Sequence, residues 1–198
     1  RNPRPEGAPE GMRIIGGTRR GLRLAEVGEG DAAAHLRPTS DRVREAIFNL
    51  LINGTRGNLV AGARVLDLFA GTGALGLEAL SRGAARAVFV DDGARALALL
   101  KENIAKMRAE GETRVVRQNA TRLPPNPEPP FTLVFLDPPY GKGLGEAALA
   151  AAKKGGWLAP GATLVWEEGA APSVPEGFSV VDQRRYGDTT VTFLTVAE

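Results

Sequence analysis

Four consecutive residues, Asp137-Pro138-Pro139-Tyr140, place a carboxylate, two residues without N–H donors and a phenol at the end of an apolar run. The paired prolines fix φ and remove two donors, which leaves carbonyls and a carboxylate as a cluster of acceptors. Acceptors are what an exocyclic NH₂ group requires. A nucleobase amine is a poor nucleophile because its lone pair is delocalised into the ring. Accepting both its hydrogens, on Asp137 and on the Pro138 carbonyl, localises that lone pair toward an electrophile. Tyr140 offers a ring face on which a planar base can stack. The rival reading of these four residues is a plain strand-end turn.

A second group lies in residues 63–83, ARVLDLFAGTGALGLEALSRG. An apolar run ends in Asp67, breaks into a tight turn through Gly71, Thr72 and Gly73, and restarts with helical periodicity at Leu75, Leu77, Ala79 and Leu80. Strand, glycine turn and helix in that order hold nucleotide-like cofactors against backbone amides. Glycines at 71 and 73 permit positive φ and close approach of a ligand. Gly76 completes G-x-G-x-x-G, a weak signal alone. Asp91 ends the next apolar run, where a carboxylate can accept from two ribose hydroxyls; its neighbour Asp92 leaves that assignment open by one position. Alternation favours Asp91, because Val88 and Val90 point one way while Phe89 and Asp91 point the other. Asp67 separates the cofactor candidates. A carboxylate there suits a ligand with an ammonium group and opposes a pyrophosphate, so charge favours S-adenosylmethionine (SAM) over a dinucleotide. An NAD dehydrogenase would explain neither Asp67 nor the double proline. Asn119, after the third strand, can bond an adenine edge or simply form a turn.

Composition narrows the chemistry further. The chain has 198 residues, no cysteine and one histidine, so thiol catalysis, disulfides and multi-histidine metal sites are excluded. No metal is expected, and length suits one domain with a small appendage. No apolar run approaches the roughly 18 residues of a membrane span, and a cytoplasmic monomer is the expectation. Net charge is only +2, yet twenty of the 25 cationic residues are arginine. That bias accompanies GC-rich coding and some thermophiles as readily as phosphate recognition, so local clustering must carry any argument for nucleic acid.

The elements that position these groups follow from periodicity. Residues 1–11 are rich in proline and glycine and read as a flexible tail, with order starting at Met12. Residues 12–24, MRIIGGTRRGLRL, read as two short strands about a glycine turn; Arg13, Arg19, Arg20 and Arg23 make it a cationic knob for RNA phosphates or a solvated surface. Residues 25–34 form a loop. In 37–51, Thr39 or Ser40 caps a helix whose stripe is Val43, Ile47, Leu50 and Leu51, flanked by Arg42 and Arg44 and closed by Phe48 and Asn49. It either docks beside the cofactor or only packs. Strands are expected in the run ending at Asp67 and at 87–91, 114–120, 131–140 (closing in a sharply restricted turn) and 162–168, with helices over 93–109 and 144–155. The tail forms a hairpin about Gly187-Asp188. The fold class is α/β: a doubly wound, mostly parallel seven-stranded sheet with an antiparallel C-terminal hairpin, plus a short N-terminal β-hairpin and helix. The chain divides into a tail (1–11), a hairpin extension (12–36) and a catalytic domain (37–198).

LDLFAGTG (66–73) together with DPPY resembles the class I, Rossmann-like SAM-dependent amino-methyltransferases. RIIGGTRRGLRL, RPTSDRVREAIFN and YGDTTVTFL resemble, more narrowly, the small-subunit ribosomal RNA guanine-N2 methyltransferases of the RsmD family, over residues 12–196. The resemblance implies methylation of one guanine amine in 16S rRNA, on the RNA or on an assembling small subunit. It places Asp67, Phe69, Ala70, Gly71, Thr72, Gly73, Asp91, Asn119 and Ala120 at the SAM site, and Asp137, Pro138, Pro139 and Tyr140 in the catalytic loop. Asp91 departs from a family position that is often Glu. The shorter acid bonds the ribose directly or through a water. Charge clustering adds Arg13, Arg19, Arg20, Arg23 and Arg42 as RNA contacts. Adenine-N6 and protein-glutamine methylation, which commonly use NPPY-like loops, and a non-catalytic RNA-binding assembly module are the alternatives.

Overall fold

The computed structural model describes residues 12–26 and 40–198. The tail at 1–11, most of the 25–34 loop, the Thr39 cap and the boundary at residue 36 lie outside the described residues. Seven strands, β1 (Arg64–Leu68), β2 (Arg86–Asp91), β3 (Thr113–Arg117), β4 (Phe131–Leu136), β5 (Leu158–Glu168), β6 (Phe178–Tyr186) and β7 (Thr189–Val196), form one sheet in the order β3-β2-β1-β4-β5-β7-β6. The first five are parallel; β7 runs antiparallel to both β5 and β6. Winding from β1 proceeds to β2 and β3 on one side and to β4 and β5 on the other. The switch point therefore lies between β1 and β4, where open α/β sheets bind ligands.

The central strands are continuous apolar runs because both faces are covered. On one face, α1 (Asp41–Asn53), α2 (Ala74–Ser81) and α3 (Ala94–Lys106) pack with Met12, Ile14 and Leu24 on Val65, Phe89, Phe135 and Phe193. On the other, α4 (Leu144–Lys154) covers Leu66, Val134, Leu164 and Trp166. Ser40 caps α1, its hydroxyl accepting from the Val43 N–H at 3.1 Å. Among the described residues no helix is long and apolar enough to cross a membrane.

Several expectations shift. The N-terminal segment forms a single antiparallel bridge, Arg13 to Arg23, closed by a 3-10 turn over Gly17–Arg19, rather than two strands. Backbone amides of Ile15, Gly16, Arg19 and Ala25 donate to the side chains of Glu78 and Ser81 on α2 and Asn103 on α3, so they do not extend a ladder. Strand β3 stops at Arg117, because Asn119 caps a 3-10 turn over Ala120–Arg122. Strand β5 begins at Leu158, four residues early, and its register with β4 shifts where the Pro160-Gly161 corner is accommodated. Arg44 does not flank the apolar stripe of α1; it is fully buried within it.

Candidate active site

The turn after β1 is fixed residue by residue. Phe69 (φ 55°), Gly71 (58°) and Gly73 (84°) all sit at positive φ, a conformation that costs energy at the non-glycine Phe69. The Gly73 N–H closes the turn on the Ala70 carbonyl at 2.9 Å, and the Ala70 N–H reaches the Val90 carbonyl at 3.0 Å. The Asp91 carboxylate accepts from Gly71 N–H through Oδ2 and from Gly93 N–H through Oδ1, both at 2.9 Å. Asp91 thus positions the loop. A Cβ on Gly73 would stand 2.5 Å from Leu100, and one on Gly76 2.4 Å from the Phe89 ring. Glycine at 76 lets α2 approach the sheet, and glycine at 73 supplies the positive φ of the turn.

Gly76 also donates its N–H to Asp67 Oδ2 at 3.0 Å. Asp67 is buried, and desolvation raises its pKa well above the usual carboxylate range; the Gly76 N–H opposes this, while the charges of Asp137 and Asp91 add to it. A site that presents such carboxylates to one another favours a cationic ligand.

Residues that sequence reasoning missed hold this loop and the 12–26 segment in place. Asn103 of α3, fully buried, donates to the Thr72 carbonyl at 2.9 Å and to the Ala25 carbonyl at 3.0 Å, and accepts from Ala25 N–H at 2.6 Å. Glu78, buried in α2, accepts from Ile15 N–H at 2.8 Å and Gly16 N–H at 3.0 Å and pairs with Arg82 at 2.9 Å. Arg44 donates to the Arg13 carbonyl at 2.6 Å and to Asp41 at 2.8 Å, and stands 3.7 Å from Glu78. Burial lowers the Arg44 pKa, against the pull of Glu78 and Asp41. A lone glutamate inside the apolar run ALGLEALS was the readable signal, since a buried carboxylate must be partnered.

Strand β4 delivers the Asp137–Tyr140 loop to the same edge. Leu136 pairs with Leu68, and the Asp137 N–H points at the Leu68 carbonyl at 3.4 Å, so this loop and the glycine turn leave neighbouring strands. Tyr140 is half-buried; its hydroxyl hydrogen-bonds Thr189 at the start of β7 at 3.1 Å, and its ring lies on Gly169, where a Cβ would come within 3.0 Å. Gly141 N–H donates to Glu168 at 3.0 Å. Asn119 is exposed and uses its side-chain oxygen to accept from Thr121 N–H at 2.9 Å and from the Thr121 hydroxyl at 2.7 Å; Ala120 is buried. Of the candidate arginines, Arg13, Arg20, Arg23 and Arg42 are exposed. Arg19 is not: it is half-buried and donates to the Met107 carbonyl at the end of α3 at 3.2 Å.

A switch-point crevice joining a glycine turn, an acid after β1, an acid after β2 and a proline-rich acceptor loop after β4 defines a class I methyltransferase. Solved structures agree. The proposed methyltransferase yhhF of Escherichia coli is 37% identical, with a TM-score of 0.78 over 94% of this chain and 98% of that one. A hypothetical protein of Thermus thermophilus is 31% identical, with a TM-score of 0.67 over 94% and 99%. Ribosomal RNA small subunit methyltransferase D of Escherichia coli is 40% identical over 172 residues, 85% of this chain and 82% of the relative. The family described as conserved hypothetical protein 95 matches residues 12–195, and the chain belongs to it, the RsmD family.

Proposed function

We propose that the chain transfers a methyl group from SAM to the N2 amine of a guanine in small-subunit ribosomal RNA. The observation that carries this is the adjacency of the acceptor loop to the glycine turn, with Asp137 N–H directed at the Leu68 carbonyl. SAM fits the donor set on charge: its ammonium would meet Asp67, whose pKa is raised by burial first and then by the nearby charges of Asp137 and Asp91. Asp67 and the Phe69–Gly73 turn would hold its amino-acid end, Asp91 its ribose, and Asn119 with Ala120 its adenine. When bound, SAM supplies an electrophilic methyl on an excellent leaving group, so positioning carries most of the rate.

The chain's own residues then act on the amine. The Asp137 carboxylate and the Pro138 carbonyl accept its two hydrogens and direct the lone pair at the methyl. Tyr140, tethered through its hydroxyl to Thr189, stacks on the extruded base. As the new N–C bond forms, Asp137 takes the released proton. Arg13, Arg20, Arg23 and Arg42 would track RNA phosphates on the face that the 12–26 segment extends; Arg19 braces that segment instead. Mapping methyl incorporation from labelled SAM on small-subunit RNA lacking the modification tests the reading. Asp137→Ala should reduce incorporation by at least about a hundredfold while SAM affinity is retained; normal methylation by that variant would refute the assigned mechanism.

A further inference from the structure

A second set of cations stands at the active-site edge, around the hairpin of β6 and β7. Because β7 runs antiparallel to β5, the end of β6 and the start of β7 meet the carboxyl end of β5, where Tyr140 rests its ring on Gly169 and its hydroxyl on Thr189. Across this corner Arg185 pairs in register with Thr190, and Thr190 with Glu168. Residues opposite one another share a face of the sheet, so Arg185 stands on the face of Glu168, about 10 Å away across two strand spacings. Glu168 accepts from Gly141 N–H at 3.0 Å, which brings Lys142 to the same corner. Arg185 and Lys142 are both exposed, and among the described residues neither forms a hydrogen bond or ion pair, even with Asp188 in the adjoining turn. Arg184, one residue earlier, lies on the other face and is held by Asp182 at 3.1 Å.

These cations stand where the tip of the N-terminal segment does not reach. Helices α2 and α3 start at the active-site edge and run back toward the opposite one, where the Gly62 N–H, just before β1, meets the Gly83 carbonyl at 2.8 Å. The turn bearing Arg20 is fastened at those far ends: Arg19 N–H donates to Ser81 Oγ at 3.0 Å and Arg19 Nε to the Met107 carbonyl at 3.2 Å. The eight residues of α2 span about 12 Å, which sets that turn too far back for the phosphates beside a base stacked on Tyr140. An extruded nucleotide carries a phosphate on either side of it to the rim of its pocket. We propose that the corner of β6 and β7 is an RNA-docking surface on which Arg185 and Lys142 bind the phosphates flanking the target nucleotide; this rests on the RNA-methylation reading above. Arginine suits the contact, because its fork bonds phosphate oxygens in pairs.

Filter binding of small-subunit RNA lacking the modification, measured across a salt series, tests the surface. Arg185→Ala should weaken binding about fivefold to tenfold and lower the slope of log affinity against log salt by about 1. Adding Lys142→Ala should lower the slope by about 2 in all. SAM affinity and kcat at saturating RNA should stay unchanged. Arg184→Ala is the control, one residue away on the opposite face, and should keep the wild-type affinity and slope. Equal losses from Arg184→Ala and Arg185→Ala would show that only net charge matters and would overturn the proposal, as would an unaltered slope when Arg185 and Lys142 are both replaced. If the wild-type chain binds this RNA and transfers no methyl, while the loss specific to Arg185 persists, the methylation reading fails and the docking surface stands.

Discussion

Replacing Glu128 should destabilise the protein by about 3 kcal/mol at neutral pH without touching the active-site edge. The carboxylate sits beneath the amino ends of three strands. It bonds Arg86 Nε at 2.6 Å and Nη2 at 3.1 Å, Arg64 Nη2 at 2.8 Å and Arg114 Nε at 2.8 Å. The Arg86 hydrogen bonds, ahead of the opposing desolvation and the added pull of Arg86, Arg114 and Arg64, lower its pKa from 4.5 to about 2. Its side chain is 15% exposed, so solvent screening removes little of the effect. At roughly 1.4 kcal/mol per pH unit, that depression is worth about 3 kcal/mol above the ordinary pKa. The sign follows: a depressed carboxyl stabilises the fold at neutral pH, and the contribution drains away as pH falls from about 4.5 toward 2. Urea unfolding of the wild type and of Glu128→Gln should differ by about 3 kcal/mol at pH 7 and by about 1.4 kcal/mol at pH 3. A gap below about 1 kcal/mol at pH 7, or one unchanged between pH 7 and pH 3, would refute the linkage argument.

Asp67→Asn should raise the melting temperature at pH 7 while weakening SAM binding at least about tenfold by calorimetry. The raised carboxyl pKa costs stability as pH climbs above about 4, so the thermal gain should shrink as pH is lowered through the carboxylate range. Gly76→Ala forces a methyl into the Phe89 ring and should cost about 1–3 kcal/mol in urea unfolding; a neutral result would show that α2 can move off the sheet. Neutralising Arg20 and Arg23 together should lower the slope of log RNA affinity against log salt by about 1 to 2, with SAM affinity unchanged. An unaltered slope would remove the hairpin from the RNA interface.

Much of the site could be read from local chemistry. Asp67, Gly71, Gly73, Asp91 and the Asp137–Tyr140 loop stand out because strand ends, glycine turns and proline pairs constrain the backbone within a few residues of themselves. The doubly wound, mostly parallel sheet with its antiparallel C-terminal hairpin was also legible, since alternating strand and helix units admit few right-handed windings, whereas the strand order came from the structure. Arg44 shows the limit of such reading. It stands four residues before Phe48 and so lies in the α1 stripe by periodicity, yet a charged residue is assigned to solvent until Glu78 and Asp41 are seen beside it. Arg19 counted as an RNA contact by charge alone, whereas in the fold its guanidinium reaches the carbonyl of Met107, 88 residues away.

By itself, then, the sequence determined which residues could accept an amine, cradle a cation and turn the chain, because those properties belong to side-chain type and to short-range backbone geometry. Tertiary structure alone decided which of them share an edge and what holds them there: Asn103 beneath Thr72 and Thr189 on Tyr140. Those contacts join residues tens of positions apart, and no local propensity encodes a partner that arrives only when the sheet closes.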